Sequence, residues 1–188
     1  MKHKPTPKEL EMVRDLLTYI GEDPAREGLL ETPARFLKAW EEYTRGYREK
    51  PEEILKSFED GAQSVDEMVI VRDIPVYSLC EHHMLPFFGK AHIAYISSGK
   101  VIGLSKLNRV VQYFSKRPQV QERLTNQIAK ELQGILGTED VAVIIDAEHL
   151  CVSSRGVQDV NSATVTSFYG GVFQENSNRK EFLEYIKM

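Results

Sequence analysis

The chain has 188 residues, 41% of them hydrophobic and 28% charged, with 24 Lys and Arg against 28 Asp and Glu for a formal net charge of -4. That is ordinary globular composition, sized for one domain or one domain with a helical extension, and long enough to bury a core without disulfides or a structural metal. The acidic balance argues against a nucleic-acid partner, no run approaches a membrane span, and no apolar leader opens the chain, so a soluble, cytoplasmic enzyme or binding protein is expected.

Residues 1–65 read as a helical region. Thr6, Pro7 and Glu9 form a capping box with proline at the first helical position, followed by an apolar stripe of Leu10, Val13, Leu16, Leu17 and Ile20. Gly21 is placed to stop that helix. Thr32 and Pro33 repeat the start signal ahead of Phe36, Leu37, Trp40 and Tyr43, which have helical spacing, and Gly46 closes the segment. A short turn of helix is expected around EEILKSF, residues 52–58.

Residues 66–188 read as a second region. EMVIVRDIPVYSLC and FFGKAHIAYI are rich in β-branched and aromatic residues and read as neighbouring strands, with His92 an ordinary strand residue. Helical spacing returns through Leu107, Val110, Val111 and Phe114. A second helix follows Pro118, with Val120, Leu124, Ile128, Leu132 and Ile135 on one side and Gly137 past its end. DVAVIIDAEHLC and NSATVTSFYGGVF then read as strands and NRKEFLEYIK as a terminal helix. The order predicts an α+β fold with mostly antiparallel pairing rather than alternating βαβ units.

The stretch between the first two strands carries the chemistry. Cys80 and His83 stand in C-x-x-H spacing, which a tight turn can fold around one ion. With only two cysteines and no secretion signal, a metal or catalytic reading outweighs a disulfide. In an extended VIIDAEHLC, residues 145, 147, 149 and 151 share a face, which sets His149 and Cys151 about 7 Å apart along the strand. Cys80, His83 and Cys151 would make three ligands with a fourth position left for water, the pattern of a catalytic zinc. A closed structural site using His82 or His149 as fourth ligand competes with it on spacing alone.

CEHHMLPFFGKAHIAYI, VIGLSKLNRVVQYFSKRPQVQERLT and HLCVSSRGVQDVNSATVTS together resemble GTP cyclohydrolase I, in order and spacing, from about Thr32 to the C-terminus. The resemblance implies a tunnelling fold: an antiparallel sheet backed by two long helices, closing with its copies into an oligomeric barrel, here after an N-terminal helical extension. It implies a homodecamer of two pentamers with active sites at subunit interfaces. The reaction implied is hydrolytic opening of the GTP imidazole ring, with C8 leaving as formate and 7,8-dihydroneopterin triphosphate formed, to supply folate or another pterin pathway. Zinc is the only cofactor implied.

By position, the family's zinc ligands fall on Cys80, His83 and Cys151. His82 matches its proton donor and acceptor near guanine N7, and His149 a second acid–base histidine near the water and ribose. This suits the chemistry: zinc lowers the pKa of bound water toward about 7, and imidazole exchanges protons in that range. Gln121 and Glu122 match the guanine-recognising residues, a carboxylate being able to accept from both N1–H and the 2-amino group. Ser105, Lys106, Arg109 and Arg155 are implied at the triphosphate or adjoining ribose, with Arg35 reaching it from a neighbouring subunit. The first three open one helix, whose start favours anions. A nitrile reductase of the deazaguanine pathway would instead need a nicotinamide cofactor and no zinc, and a zinc-stabilised scaffold would not require His82, His149, Gln121 and Glu122.

Overall fold

A computed structural model describes residues 4–50, 57–58, 67–97, 99 and 101–187. The chain forms two compact units, Met1–Arg45 and Gly46–Met188. The boundary expected between residues 65 and 66 lies outside the described residues.

In the first unit, helix α1 (Pro7–Tyr19) opens on the expected capping box. The Thr6 hydroxyl accepts the Glu9 N–H at 3.3 Å and the Glu9 carboxylate accepts the Thr6 N–H at 2.6 Å. Gly21 follows the helix with φ +87°, a conformation that glycine enters without a Cβ clash. Helix α2 (Thr32–Tyr43) starts one residue earlier than a threonine cap would place it: Glu31 is the N-cap, with no side-chain cap bond, and Thr32 is already helical.

Gly46 does not close α2, which ends at Tyr43. Gly46 belongs to the second unit, where a Cβ at this position would lie 2.2 Å from the Tyr113 carbonyl oxygen, so close packing of backbone on backbone requires the glycine. Ser57–Phe58 form a two-residue strand, β1, rather than the end of a helical turn; the rest of that expected turn, residues 52–56, lies outside the described residues.

The second unit is built on one sheet. Strands β2 (Met68–Cys80) and β3 (Pro86–Ile96) form an antiparallel hairpin. Then come β4 (Val101–Ile102), paired with β1, helix α3 (Leu104–Ser115), and the two-residue strand β5 (Pro118–Gln119). Helix α4 (Gln121–Leu136) follows and ends on Gly137 at φ +67°. Strand β6 (Val141–His149), the single helical turn α5 (Leu150–Ser153), strand β7 (Thr164–Tyr169) and helix α6 (Asn176–Lys187) complete the chain. Sheet order is β5-β2-β3-β6-β7, antiparallel throughout except for the short parallel pairing of β5 with β2.

Alternation along β6 explains the layers. Val141, Val143, Ile145 and Ala147 point into the main core with Ile74, Val76, Phe87, Ile93 and Tyr95 of the hairpin. Leu107, Val110, Val111 and Phe114 of α3 and Leu124, Ile128 and Leu132 of α4 cover that face. Ala142 and Ile144 point the other way, into a smaller cluster with Phe173 and Phe182. Because both faces are covered, β6 reads as a continuous apolar run. Two long helices thus back one face of an antiparallel sheet, as expected.

His92 has more to do than fill a strand. It is buried in β3, and its Nδ1 accepts the Asp73 N–H at 3.3 Å. Asp73 sits at φ +58° where the β2–β3 register slips between Val71 and Ile74. The imidazole therefore satisfies a donor that the bulge removes from the ladder.

Candidate active site

Three strands bring their functional residues to one end of the sheet, on its helix-covered face. Cys80 is the last residue of β2, Phe87 the second of β3 and His149 the last of β6, with Phe87 directly opposite His149. The turn after Cys80 is tight: the Cys80 carbonyl accepts the Met84 N–H at 2.8 Å, the Leu85 carbonyl accepts the Cys80 N–H at 2.8 Å, and Met84 adopts φ +55°. Glu81 anchors this turn to the start of α4 through a forked ion pair with Arg123, at 2.5 and 3.0 Å. Its backbone N–H also donates to the Gln119 carbonyl at 3.1 Å. That guanidinium holds the Glu81 carboxyl below the usual carboxylate range.

Cys151 reaches the same place by a different route from the one expected. The strand ends at His149, and Cys151 lies in the helical turn α5, so the two residues are not neighbours on one extended face. The donor atoms of Cys80, His83 and Cys151 nevertheless all lie within 4.8 Å of one another. Cys80 Sγ is 3.9 Å from His83 Nδ1, within a few tenths of an ångström of the roughly 3.5 Å edge of a tetrahedral site with Zn–S bonds of about 2.3 Å and Zn–N bonds of about 2.0–2.1 Å. Both cysteines are free thiols. Burial first, then the hydrogen bond with Cys80, pushes the Cys151 thiol up; a bound cation reverses that preference by favouring thiolate. Soft sulfur plus imidazole, preformed and at this spacing, fits zinc.

His82 and His149 stand outside this donor group. His82 is exposed, with Nδ1 3.8 Å from Cys80 Sγ. His149 stacks on Phe87, rings 8° from parallel and centroids 4.6 Å apart, and its Nε2 is 2.7 Å from Gln121 Oε1. Burial pushes the His149 imidazole down, opposed by the Glu122 carboxylate, which favours the neutral ring. Arg155 Nη1 donates to His83 Nε2 at 3.0 Å, which puts that cation beside the cluster.

The remaining expected residues are distributed more widely. Gln121, expected at the guanine, is 1% exposed, and its amide is engaged by Ile145, Thr164, Thr166 and His149. Its neighbour Glu122 is exposed. Ser105 and Lys106 lie in the first turn of α3, at the end away from Cys80, and Arg109 lies at mid-helix. The C-terminal end is where β5 pairs with Leu79 and Cys80. The N-terminal end follows β4, where the Ile102 N–H meets the Tyr95 hydroxyl opposite Val69, eleven residues up β2 from Cys80. The start of α3 is thus about 17 Å, a helix length, from its Cys80 end. Arg35, in the first unit, forms an ion pair with Glu31, the N-cap of α2. Phe87, Glu81 and Arg123 escaped the sequence reading, since an apolar strand residue and two surface charges carry no signal before the strands are registered.

The family model described as GTP cyclohydrolase I matches residues 10–187. A protein named GTP cyclohydrolase 1 from Chlorobium chlorochromatii is 55% identical over 176 residues, covering 93% of this chain and 78% of its own length. Proteins of the same name from Flavobacterium johnsoniae and Porphyromonas gingivalis are 51% and 53% identical over 176 and 173 residues, covering 94% and 91% of this chain and 79% and 88% of theirs. With likeness running almost end to end, and with cysteine and histidine donors already gathered, the chain belongs to the GTP cyclohydrolase I family.

Proposed function

We propose that this chain is a zinc-dependent GTP cyclohydrolase I, opening the imidazole ring of GTP, releasing C8 as formate and forming 7,8-dihydroneopterin triphosphate. The observation that carries the reading is the meeting of Cys80, His83 and Cys151 beside two histidines that are not part of the donor group. Three protein ligands leave a position open, as a catalytic rather than a structural site does. Bound there, zinc supplies a Lewis acid that lowers the pKa of a coordinated water.

The chain's own side chains supply the rest. His82, exposed beside Cys80, donates a proton toward guanine N7, which makes C8 a better electrophile. His149, clamped between Phe87 and Gln121, accepts and returns protons near the ribose. Glu122, exposed in the first turn of α4, is placed to accept from N1–H and the 2-amino group of guanine. Arg155 serves the phosphates.

Ser105, Lys106 and Arg109 complete the phosphate site from another subunit, and Arg35 from a neighbour as well. The distance of α3's start from Cys80 within one chain supports this division. So does β7, which has no partner strand on its outer side among the described residues and can join a second sheet. A homodecamer of two pentamers is the assembly proposed.

The test is to incubate purified protein with GTP and follow formate and neopterin product, with and without a chelator. Product formed only with zinc present supports the reading. Product persisting after complete zinc removal would sink the zinc mechanism, and none from zinc-replete protein would leave a scaffold.

A further inference from the structure

The Gln121 side chain is engaged at both ends, through Nε2 and through Oε1. Its Nε2 lies 3.1 Å from the Ile145 carbonyl, 2.8 Å from the Thr164 carbonyl and 3.1 Å from Thr166 Oγ1. Two of these partners are backbone carbonyls of β6 and β7, which can only accept. The amide cannot be turned over, because its oxygen would then face two carbonyl oxygens at hydrogen-bond distance. Oε1 is therefore fixed toward His149 Nε2, 2.7 Å away, and an amide oxygen accepts only. His149 Nε2 must carry the proton.

The backbone of the side chain is held as firmly. The Thr125 hydroxyl is 2.9 Å from the Gln121 carbonyl and 2.7 Å from Thr166 Oγ1. The network therefore joins α4 to β6 and β7, with Gln121 and Thr125 buried at its centre. Phe87 fixes the plane of the same imidazole from the other side of the strand pair.

We infer that Gln121 is a positioning residue that holds His149 as its Nε2–H tautomer, leaving Nδ1 as the only proton-accepting atom of the ring. Gln121 then acts on turnover through His149, its side-chain N–H groups being taken up by β6 and β7, and the reading of guanine falls to Glu122. The consequence for turnover rests on the acid–base reading of His149; the tautomer does not.

The first measurement is the long-range 1H–15N spectrum of zinc-loaded protein labelled with 15N-histidine, with His149 assigned by its loss in His149→Phe. A protonated Nε2 and a bare Nδ1 are expected. A protonated Nδ1, or rapid exchange between tautomers, overturns the inference. The second is Gln121→Met, which keeps length and removes the acceptor. Zinc content and KM for GTP should stay near wild type while kcat falls about 10- to 100-fold, and the His149 signals should move to a tautomer average. A KM that rises with kcat intact would return Gln121 to guanine recognition. If that variant fails to fold, the wild-type spectrum alone decides. Wild type inert toward GTP would remove the functional reading and leave the tautomer result standing.

Discussion

Phe87 and His149 are direct partners across β3 and β6, their rings within 8° of parallel and their centroids 4.6 Å apart. An aromatic pair of this kind contributes about 0.5–1.5 kcal/mol beyond its buried area, and here it also fixes the plane of an imidazole. Phe87→Leu keeps an apolar residue and removes the stack. It should bind zinc as wild type does and lose roughly tenfold in kcat through the freed ring; kcat equal to wild type would show that Gln121 suffices to hold His149.

The pairing depends on a glycine two residues further along β3. Gly89 lies opposite Ala147, and a Cβ there would come within 1.9 Å of the Asp146 carbonyl oxygen. Gly89→Ala must push β3 from β6, at a cost of about 1–3 kcal/mol. Melting temperature and zinc content should both fall, and a variant as stable as wild type would mean the two strands separate freely here.

These relationships mark what was legible in the sequence. Local chemistry was: the Thr6–Glu9 box, the stop at Gly137 and the strand character of 68–80 and 86–96 depend on near neighbours and stand where expected. Long-range matters were not. Cys151 was expected on an extended face with His149, yet the strand ends and a helical turn carries the thiol to Cys80. Gly46 looked like a helix stop because a glycine's close approach to a distant helix leaves no local trace. Gln121 is a guanine contact by resemblance alone, and nothing local reveals that two carbonyls of other strands face its amide.

Acid should act on the Asp73 bulge through His92. Burial lowers the His92 pKa from its ordinary 6.5, with the Asp73 carboxylate opposing, Lys90 adding to the fall, Asp146 opposing and Arg72 adding. A histidine kept neutral in the folded state stabilises it fully above pH 6.5, and that stability is lost as pH falls toward the folded value. Protonation of Nδ1 would also remove the acceptor for the Asp73 N–H. His92→Gln should flatten the acid limb of unfolding free energy against pH below about 6.5, by at most about 1.4 kcal/mol per pH unit. Parallel curves for the two proteins would assign that limb to other groups.

If the start of α3 serves a neighbouring subunit, two inactive variants should rescue each other. Cys151→Ala lacks a ligand and Arg109→Ala lacks a phosphate contact, each in every site of its own assembly. Co-expressed in equal amounts, they should restore about a quarter of the sites. Mixed assemblies with no activity, despite both chains being present, would place the whole site within one chain.

The central claim is that Cys80, His83 and Cys151 hold the metal while His82 moves protons beside it. Metal analysis of purified Cys151→Ala and His82→Ala, alongside formate release from GTP, tests it most directly. Cys151→Ala should lose both zinc and turnover. His82→Ala should retain zinc at the wild-type ratio and release formate at least about 100-fold more slowly. A His82→Ala protein emptied of zinc, or a Cys151→Ala protein that keeps it, would contradict the assignment.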